Sequence, residues 1–358
     1  MAYNFKKQLD PQRVRDLALW IKKKADMPMT IMEVCGTHTH AILHYGLQEL
    51  LPKEISLLSG PGCPVCVTAA EEISQAVLIA QQPNVLLCTF GDMIRVPCAA
   101  GSLREAQEAG AQIKIVFSPL DAIELAKENP RKAVVFLAVG FETTAPATAA
   151  AIKLADELGL DNFSILCLHK TMPQALRTLL AGDQIDALLC PGHVATITGS
   201  DYFNFIAHEL KKPAVVAGFA PVEIMTALSI LVGQLQENNH QLINAYPQSV
   251  RYGGNKQALG MMERFFEAVD SRWRGLGFIK NSGLKIRHKW RHFDAMQNFK
   301  IAVTPEEEPA GCLCGQVLSG KAVPTDCQYF ATVCRPVSPL GACMVSSEGI
   351  CAAYYQYR

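Results

Sequence analysis

Residues 133–158 read AVVFLAVGFETTAPATAAAIKLADEL. The first seven residues are apolar with no polar alternation, which predicts a β-strand that is buried on both faces. The run Gly140-Phe-Glu-Thr-Thr144 then makes a turn, and residues 146–158 have the apolar spacing of an amphipathic helix. A buried strand that leads through a glycine-containing turn into a helix is the repeating unit of parallel sheets covered by helices.

The same order of strand and helix recurs from residue 29 to residue 219. It predicts an α/β fold with two doubly wound parallel-sheet domains and a small cysteine-rich region at the C-terminus. The other predicted strands are residues 30–34, 55–59, 84–89, 113–117, 164–168, 185–189 and 213–217. The other predicted helices are residues 69–79, 103–109, 173–180 and 222–235.

Eight strands exceed what one small sheet needs, so we expect the chain to divide near residues 118–132. The first predicted α/β domain is residues 1–120, and it carries the motifs around Cys35, Cys63 and Cys66. The second is residues 121–236, closed by its last helix. Residues 237–358 are predicted to be a helical connector followed by the cysteine-rich region.

Composition excludes several classes of function. Lys and Arg total 33, as do Asp and Glu, so no large basic field is available to attract nucleic acid. The N-terminal residues lack the apolar core of a signal peptide, and the longest apolar stretch, residues 222–232, is too short to span a bilayer. We therefore expect a cytoplasmic protein with no membrane span. Thirteen cysteines in such a chain indicate metal binding or redox chemistry rather than a disulfide framework.

The predicted strands end in motifs that contain cysteine. Strand 30–34 leads into Cys35-Gly-Thr-His-Thr-His40, and strand 55–59 leads into Gly60-Pro-Gly-Cys-Pro-Val-Cys66. Since ligand sites in open α/β sheets form outside the carboxyl ends of the strands, we expect these thiols to lie at one edge. The three thiolates of Cys35, Cys63 and Cys66 would give a metal such as iron an incomplete coordination sphere that is open to external ligands. Redox chemistry of the Cys-x-x-Cys dithiol alone is the alternative, and spacing leaves both open.

Other polar residues at the strand ends have two interpretations each. His38 and His40 share a face on an extended segment but not on a helix, so they are either ligands or helix-capping groups. Asp92, Glu142 and His193 are either site residues or ordinary groups of a helix N-terminus. The remaining cysteines of this part of the chain, Cys88, Cys98, Cys167 and Cys190, are predicted to be small buried hydrophobic residues.

The C-terminal tail holds six cysteines in a segment rich in Gly, Pro and Ser. Such a segment buries too little apolar surface to fold alone, so a metal centre or cross-link is expected to hold it. Four of the cysteines are separated by 12, 6 and 16 residues, without paired Cys-x-x-Cys knuckles or histidines, which favours a [4Fe–4S] cluster over a structural zinc site. These four are Cys314, Cys327, Cys334 and Cys351, and the two left over, Cys312 and Cys343, are a candidate redox-active pair.

Several motifs in this chain, in this order, resemble those of the HypD family of hydrogenase maturation factors. The resemblance runs from about residue 28 to the C-terminus. Its motifs are Met32-Glu-Val-Cys-Gly-Thr-His-Thr-His40, Gly60-Pro-Gly-Cys-Pro-Val-Cys66, Thr89-Phe-Gly-Asp-Met-Ile-Arg-Val-Pro97, Gly140-Phe-Glu-Thr-Thr144, Pro191-Gly-His-Val194, Trp273-Arg-Gly-Leu-Gly277 and Met344-Val-Ser-Ser-Glu-Gly349.

The resemblance implies a scaffold on which the Fe(CN)2CO unit of [NiFe]-hydrogenase is assembled, an assembly role rather than conventional enzymatic turnover. It implies a complex with a small HypC-type chaperone and delivery of cyanide by a HypE-type donor. Cys35, Cys63 and Cys66 would then be the thiols at the assembling mononuclear iron, with His38 as a proton or ligand partner. The four tail cysteines named above would hold the [4Fe–4S] cluster, and Cys343 in place of Cys351 has equally feasible spacing.

One hypothesis joins the three thiol groups. Making a cyanide ligand from a thiocyanate-like carrier requires electrons, and we expect them to pass from the cluster through Cys312 and Cys343 to the iron-site thiols. Two other classes of function stay open. One is a cluster-dependent dithiol reductase, which has no need of the Cys35 motif; the other is a zinc-stabilised binding protein. The chain has no P-loop motif, which leaves a nucleotide site of another type neither supported nor excluded.

Overall fold

Two parallel β-sheets form the centre of the molecule, in a computed structural model that describes residues 9–358. The N-terminal residues 1–7, which bear on the signal-peptide argument, lie outside the described residues. A five-stranded sheet has the order β2-β1-β7-β8-β9 and a four-stranded sheet the order β4-β3-β5-β6. The α/β fold class with two parallel sheets is therefore confirmed. The strands are β1 (Met29–Glu33), β2 (Ile55–Ser59), β3 (Val85–Thr89), β4 (Gln112–Ile115), β5 (Ala133–Ala138), β6 (Phe163–Cys167), β7 (Ala187–Pro191), β8 (Ala214–Ala217) and β9 (Leu242–Asn244).

The membership of the sheets corrects the predicted division of the chain. The first sheet pairs β1 with β2 and also with β7, where Ile31 lies opposite Ala187. The second sheet pairs β3 with β4 and β5. Each sheet thus takes strands from both sides of residue 120, so consecutive domains 1–120 and 121–236 are wrong. All these strands have the same continuous apolar pattern, and that pattern does not specify which strands are neighbours.

Helices cover both faces of the sheets, and those predicted from apolar spacing are present within a few residues of the predicted bounds. The first helix was missed, although Asp10 caps it and Pro11 opens it. Its buried face packs against the long helix α11. The helices are α1 (Pro11–Lys24), α2 (Gly36–His44), α3 (Pro64–Val67), α4 (Ala70–Ala80), α5 (Leu103–Glu108), α6 (Pro119–Glu128), α7 (Ala145–Glu157), α8 (Met172–Leu180), α9 (Gly192–Thr198), α10 (Asn204–His208), α11 (Pro221–Gln236), α12 (Lys256–Phe265), α13 (Ala295–Phe299), α14 (Cys314–Leu318) and α15 (Ile350–Tyr357).

The segment after α11 contains the helices α12 and α13, as a helical connector would, but it also forms strands that the sequence did not predict. It supplies β9 to the first sheet and then forms an antiparallel hairpin of β10 (Phe266–Trp273) and β11 (Gly277–Ile286). Trp273 is buried at the tip of this hairpin and donates from Nε1 to Ser282 Oγ at 2.9 Å. The residues of β10 alternate between buried or half-buried and exposed positions, a weaker signal than a continuous apolar run.

The C-terminal tail folds back onto the carboxyl ends of the strands. Arg95 donates from Nη1 to Pro336 O at 2.5 Å, which holds the tail against the turn after β3. The last helix, α15, packs against α2, where Tyr357 and His40 share a hydrogen bond of 2.8 Å. The tail is thereby brought onto the loops that follow β1 and β2. Within residues 9–358, no helix has the length and apolar character needed to cross a lipid bilayer.

Candidate functional site

The loops after β1 and β2 meet because these two strands are parallel neighbours and end at the same edge. Cys35 precedes the first residue of α2, and Cys63 precedes the first residue of α3. The N–H of Gly36 donates to the carbonyl of Gly62 at 3.3 Å. A Cβ atom at Gly62 would lie only 2.2 Å from the backbone nitrogen of Cys35, so this approach requires glycine. The predicted meeting of the three thiols at one edge agrees with this geometry.

Cys63 and Cys66 face each other across the first turn of α3. Their sulfur atoms are 2.7 Å apart, and the N–H of Cys66 donates to the Cys63 sulfur at 3.3 Å. Both are free thiols and buried. Burial raises the pKa of Cys63. Burial acts in the same direction on Cys66, but hydrogen bonds from the Cys343 and Cys63 thiols and the charge of Arg274 lower its pKa overall. The pair therefore consists of one thiol that keeps its proton and one that loses it readily.

Cys35 has the opposite electrostatic character. Burial raises the pKa of its thiol to about 12, and the carboxylates of Glu33 and Glu348 contribute to the rise. Glu33 is itself fully buried: its Oε2 accepts from the N–H of Cys35 at 2.9 Å and its Oε1 from the hydroxyl of Thr39 at 2.5 Å. Burial raises the pKa of Glu33 to about 7. The free thiol of Cys35 is thus protonated at neutral pH, and a metal ion would have to displace its proton.

Two cavities open beside these thiols, at the carboxyl ends of the two sheets. The first, of about 370 Å³, is lined by Cys35, by the turn after β5 and by the start of α9 with His193. The second, of about 350 Å³, is lined by Cys63 and by residues that follow β3 and β4. Pro64, Thr144 and Glu348 border both cavities. The arrangement gives small ligands access to both thiol loops, as expected for a site between strand ends.

Glu348 is a residue of this site that sequence reasoning missed. It comes from the tail and accepts a hydrogen bond from the hydroxyl of Thr37 at 2.8 Å. Its negative charge contributes to raising the pKa of Cys35 and of Cys63. The sequence signal that pointed to Glu348 was its place in the Met344-Val-Ser-Ser-Glu-Gly349 motif. The spacing of that motif does not indicate that it folds back onto the loop after β1.

His38 is directed away from the thiols. Since residues 36–44 are helical, His38 and His40 lie on different faces, as the sequence analysis expects for a helix. His38 Nε2 lies 2.9 Å from the carbonyl of Gly218, and its ring packs on Phe219, which also stacks against His193. Burial lowers the pKa of His38 to about 4, so the imidazole is neutral. Among residues 9–358 its Nδ1 has no hydrogen-bond partner, and its role as a proton or ligand partner stays a prediction.

Glu142 and Asp92 serve contacts between elements. Glu142 is buried and accepts from the N–H of Met172 at 2.8 Å and from the hydroxyl of Tyr202 at 2.7 Å. Burial raises its pKa. Asp92 accepts from the hydroxyl of Ser346 at 2.7 Å and thereby fixes the tail near Glu348. Neither carboxylate caps its own helix, which differs from the simpler interpretation of the sequence.

All six tail cysteines line one small cavity beside α14 and α15. Cys343 is the most buried of them, with its sulfur 2.9 Å from that of Cys314. Its thiol also interacts with those of Cys351 and Cys66, and these hydrogen bonds together with burial raise its pKa. Cys343 therefore lies between the tail cysteines and the Cys63–Cys66 pair. Its sulfur partners differ from the predicted pairing with Cys312, whose own electrostatic neighbours include Cys314 and Cys327.

Metal-ligand geometry is not preformed in these loops. Within the described residues, no three His, Cys, Asp or Glu side chains converge as the ligands of a metal ion do. The thiols of Cys35, Cys63 and Cys66 follow strands that end at one edge without forming such a set, and in the tail the sulfurs of Cys314 and Cys343 are 2.9 Å apart.

Comparison with known proteins gives full-length matches. A sequence model of the HypD family, described as "Hydrogenase formation hypA family", matches residues 12–358. The hydrogenase maturation factor HypD2 of Bradyrhizobium diazoefficiens is 42% identical, over 98% of this chain and 97% of its own length. The HypD factors of Azotobacter vinelandii and Escherichia coli K12 are each 43% identical, over 97% of this chain and 95% and 94% of their own lengths. These matches agree with the motifs quoted from the sequence.

Proposed function

Because the chain belongs to the HypD family of hydrogenase maturation factors, we propose that it is the scaffold on which the Fe(CN)2CO unit of [NiFe]-hydrogenase is assembled. The observation that carries the proposal is the position of Cys35. Its thiol borders a cavity of about 370 Å³, and the Cys63 loop touches its backbone. Three thiols that reach one edge beside open space suit a metal that is built up and then passed on.

Soft thiolate ligands suit the iron that such a scaffold would carry. Cyanide and CO bind low-spin Fe(II), and thiolates stabilise iron in that state. Cys66 supplies a thiolate at low cost because its pKa is lowered by the Cys343 and Cys63 thiols and by Arg274, against the effect of burial. Cys35 releases its proton only when a metal takes its place, since burial raises its pKa. We therefore assign Cys66 as the thiol that is deprotonated before iron binds, and Cys35 as the thiol that loses its proton when iron binds.

The tail cysteines support the proposal of a resident [4Fe–4S] cluster. Their donor set fits, because six thiols line one cavity and such a cluster needs four. Cys314, Cys327, Cys334 and Cys351 would hold it. When bound, a [4Fe–4S] cluster supplies single electrons for reductive chemistry. Cys351 is preferred over Cys343 as the fourth ligand because the Cys343 thiol also acts on the pKa of Cys66.

The contacts of Cys343 modify the proposed electron path. The Cys343 sulfur lies 2.9 Å from that of Cys314, and the Cys343 thiol contributes to lowering the pKa of Cys66. A thiol in that position joins the tail to the Cys63–Cys66 pair. Thiol exchange needs such direct access between sulfur atoms. We assign the connecting role to Cys343 and leave Cys312 at the edge of the tail cavity, where it is half-buried.

The proposal includes two partners. A HypC-type chaperone would share the iron unit, and a HypE-type donor would deliver cyanide. The two cavities at Cys35 and Cys63 give two approaches to the thiols, with Glu348 between them. A cluster-dependent dithiol reductase is the second candidate function. The 2.7 Å separation of the Cys63 and Cys66 sulfurs favours it as a local chemistry, although it assigns no role to Cys35.

Replacement of Cys35 by serine tests the scaffold proposal. The variant is produced in a cell that lacks its own HypD, and [NiFe]-hydrogenase activity is measured. Cys88→Ser is the matched control, because Cys88 is a fully buried thiol of β3 away from the cavities. We expect Cys35→Ser to abolish hydrogenase maturation and Cys88→Ser to retain most of it. Full maturation with Cys35→Ser would overturn the proposal and leave the reductase.

A further inference from the structure

A third cavity, of about 650 Å³, lies where the loop after β9 leads into α12. Its wall consists of Thr196, Ser249, Arg251 and residues 253–257, and we name it the basic cavity after the two cations Arg251 and Lys256. Thr196 of α9 also borders the 370 Å³ cavity beside Cys35, so the two cavities adjoin. The proposed function leaves the basic cavity without a role.

The loop that forms the basic cavity is held in one shape by α9 and the residues that follow it. The N–H of Asn255 donates to the carbonyl of Ile197 at 2.8 Å, and the carbonyl of Arg251 accepts from the N–H of Ser200 at 3.1 Å. Gly254 has φ +62°, and a Cβ there would lie 2.4 Å from the carbonyl oxygen of Ile197. Because this conformation and this close approach require glycine, the loop presents its side chains from a fixed backbone.

The two cations of the basic cavity have no partner within the protein. Arg251 and Lys256 are exposed, and among residues 9–358 neither side chain forms an ion pair or a hydrogen bond. Asp201 lies beside the same loop, where its N–H donates to the carbonyl of Tyr252 at 3.4 Å, but its carboxylate pairs with neither cation. The wall of the cavity contains no Asp or Glu. Two positive charges therefore border this space without a carboxylate that neutralises them.

Neutral hydrogen-bond donors complete the wall of the basic cavity. Within the part of the chain that the structure describes, the N–H of Gly253 and the side chains of Ser249 and Gln257 have no hydrogen-bond partner. The Oδ1 of Asn255, in contrast, accepts from the N–H groups of Gln257 and Ala258 at 3.1 Å. The first turn of α12 is thus already capped, and the free donors are the side chains and the N–H of Gly253.

We propose that the basic cavity binds the oxyanion group of a small anionic molecule, a phosphate or a carboxylate. The guanidinium of Arg251 can donate two parallel hydrogen bonds to either group, and the ammonium of Lys256 adds a second positive charge. The volume of the cavity lies within the range of small-molecule sites, about 300–1,000 Å³. The adjoining cavity at Cys35 gives the remainder of such a molecule further space. The proposal goes beyond the proposed function and uses none of the cysteines.

Isothermal titration calorimetry of the purified full chain, at constant ionic strength, tests this proposal. Inorganic phosphate and succinate are the two probes, and they distinguish the phosphate class of ligand from the carboxylate class. Arg251→Met and Lys256→Met each remove one cation of the cavity, whereas Arg251→Lys keeps the charge without the planar guanidinium. Arg131→Met is the matched control, because Arg131 lies in an exposed turn and forms no ion pair among the residues described. It removes the same charge from the chain at a place outside the wall of the cavity.

The wild-type chain and Arg131→Met should bind at least one probe with a dissociation constant below about 10 mM. Arg251→Met and Lys256→Met should each weaken that binding about tenfold, and Arg251→Lys should weaken it less. Binding of phosphate alone would assign the phosphate class, and binding of succinate alone the carboxylate class.

Two results would overturn the proposal. One is a dissociation constant above about 10 mM for both probes. The other is the same loss of affinity in Arg131→Met as in the cavity variants, which would show that the anions respond only to the net charge of the chain. All four variants change exposed side chains, and equal midpoints of urea unfolding would confirm that each is folded. Either result would leave the scaffold proposal standing, because that proposal is tested through Cys35.

Discussion

Replacement of Gly62 by alanine tests the contact between the two thiol loops. A Cβ at this position lies 2.2 Å from the nitrogen of Cys35 and 2.3 Å from the carbonyl carbon of Val34. Both are backbone atoms, which cannot rotate away as a side chain would. Ordinary van der Waals separation would therefore require the Cys63 loop to move by about 1 Å from the Cys35 loop. Overpacking of this kind costs about 1–3 kcal/mol of folding free energy.

Urea unfolding of Gly62→Ala is compared with that of the wild-type chain and of Gly182→Ala. Gly182 is the matched control, because it lies in an exposed turn with nothing within 4 Å of an added Cβ. We expect a lower unfolding midpoint for Gly62→Ala and an unchanged or slightly higher one for Gly182→Ala. Hydrogenase maturation should also fall by about 100-fold, because a misplacement of about 1 Å between reacting groups has an effect of that size. Equal stability and activity of the two variants would refute the assigned contact.

Three further predictions follow from buried charges. Glu348→Gln should speed the alkylation of Cys35 by iodoacetamide at pH 8, since the lost negative charge contributes to its raised pKa; an unchanged rate would show that Glu348 does not act on the thiol. Lys170→Met should lower the free energy of unfolding by about 3–5 kcal/mol, because the Glu72 carboxylate loses the fully buried ammonium group 2.6 Å away. Urea unfolding measures this loss, and a loss below about 1 kcal/mol would contradict the prediction. The wild-type chain should lose stability relative to Glu33→Gln as pH rises from 4.5, the ordinary carboxyl pKa, through about 7. The reason is that in this range the native state keeps a proton on Glu33 that the unfolded chain has released. Parallel curves of unfolding free energy against pH from 4 to 8 would contradict a raised pKa of Glu33.

The sequence specified the individual elements better than their arrangement. Eight strands were predicted within a few residues, because a continuous apolar run such as residues 133–139 fits a buried parallel strand and little else. Sheet membership was not predictable, since strand pairing in parallel sheets is set by long crossover connections. The hairpin β10–β11 was missed because β10 alternates between exposed and more buried residues, and such a pattern is also typical of a surface connector.

The candidate site was predicted in the same uneven way. Cys35, Cys63 and Cys66 follow neighbouring strands, so the expectation that they share an edge needed only the rule for strand ends. Glu348 and Arg274 were missed because each reaches the site from a distant segment. Single charged residues carry no spacing signal, and their position depends on how the tail and the hairpin fold back onto β1 and α3.

The position of Cys343 also needed the three-dimensional structure. Its sequence spacing allows either a cluster ligand or a partner of Cys312. The structure brings its sulfur to Cys314, and its thiol also interacts with that of Cys66. Only the folding of the tail onto α3 creates this contact, which links the two thiol groups that the sequence shows nearly 250 residues apart.

We propose that one chain carries both an iron–sulfur cluster and the thiols that hold a growing iron unit. The most direct test is the content of iron, zinc and acid-labile sulfide in the anaerobically purified chain, isolated with a HypC-type partner, with an infrared spectrum of the same sample. We expect about four sulfides and at least four irons per chain, together with bands in the cyanide and CO stretching region. Stoichiometric zinc without sulfide, and a spectrum without those bands, would contradict it.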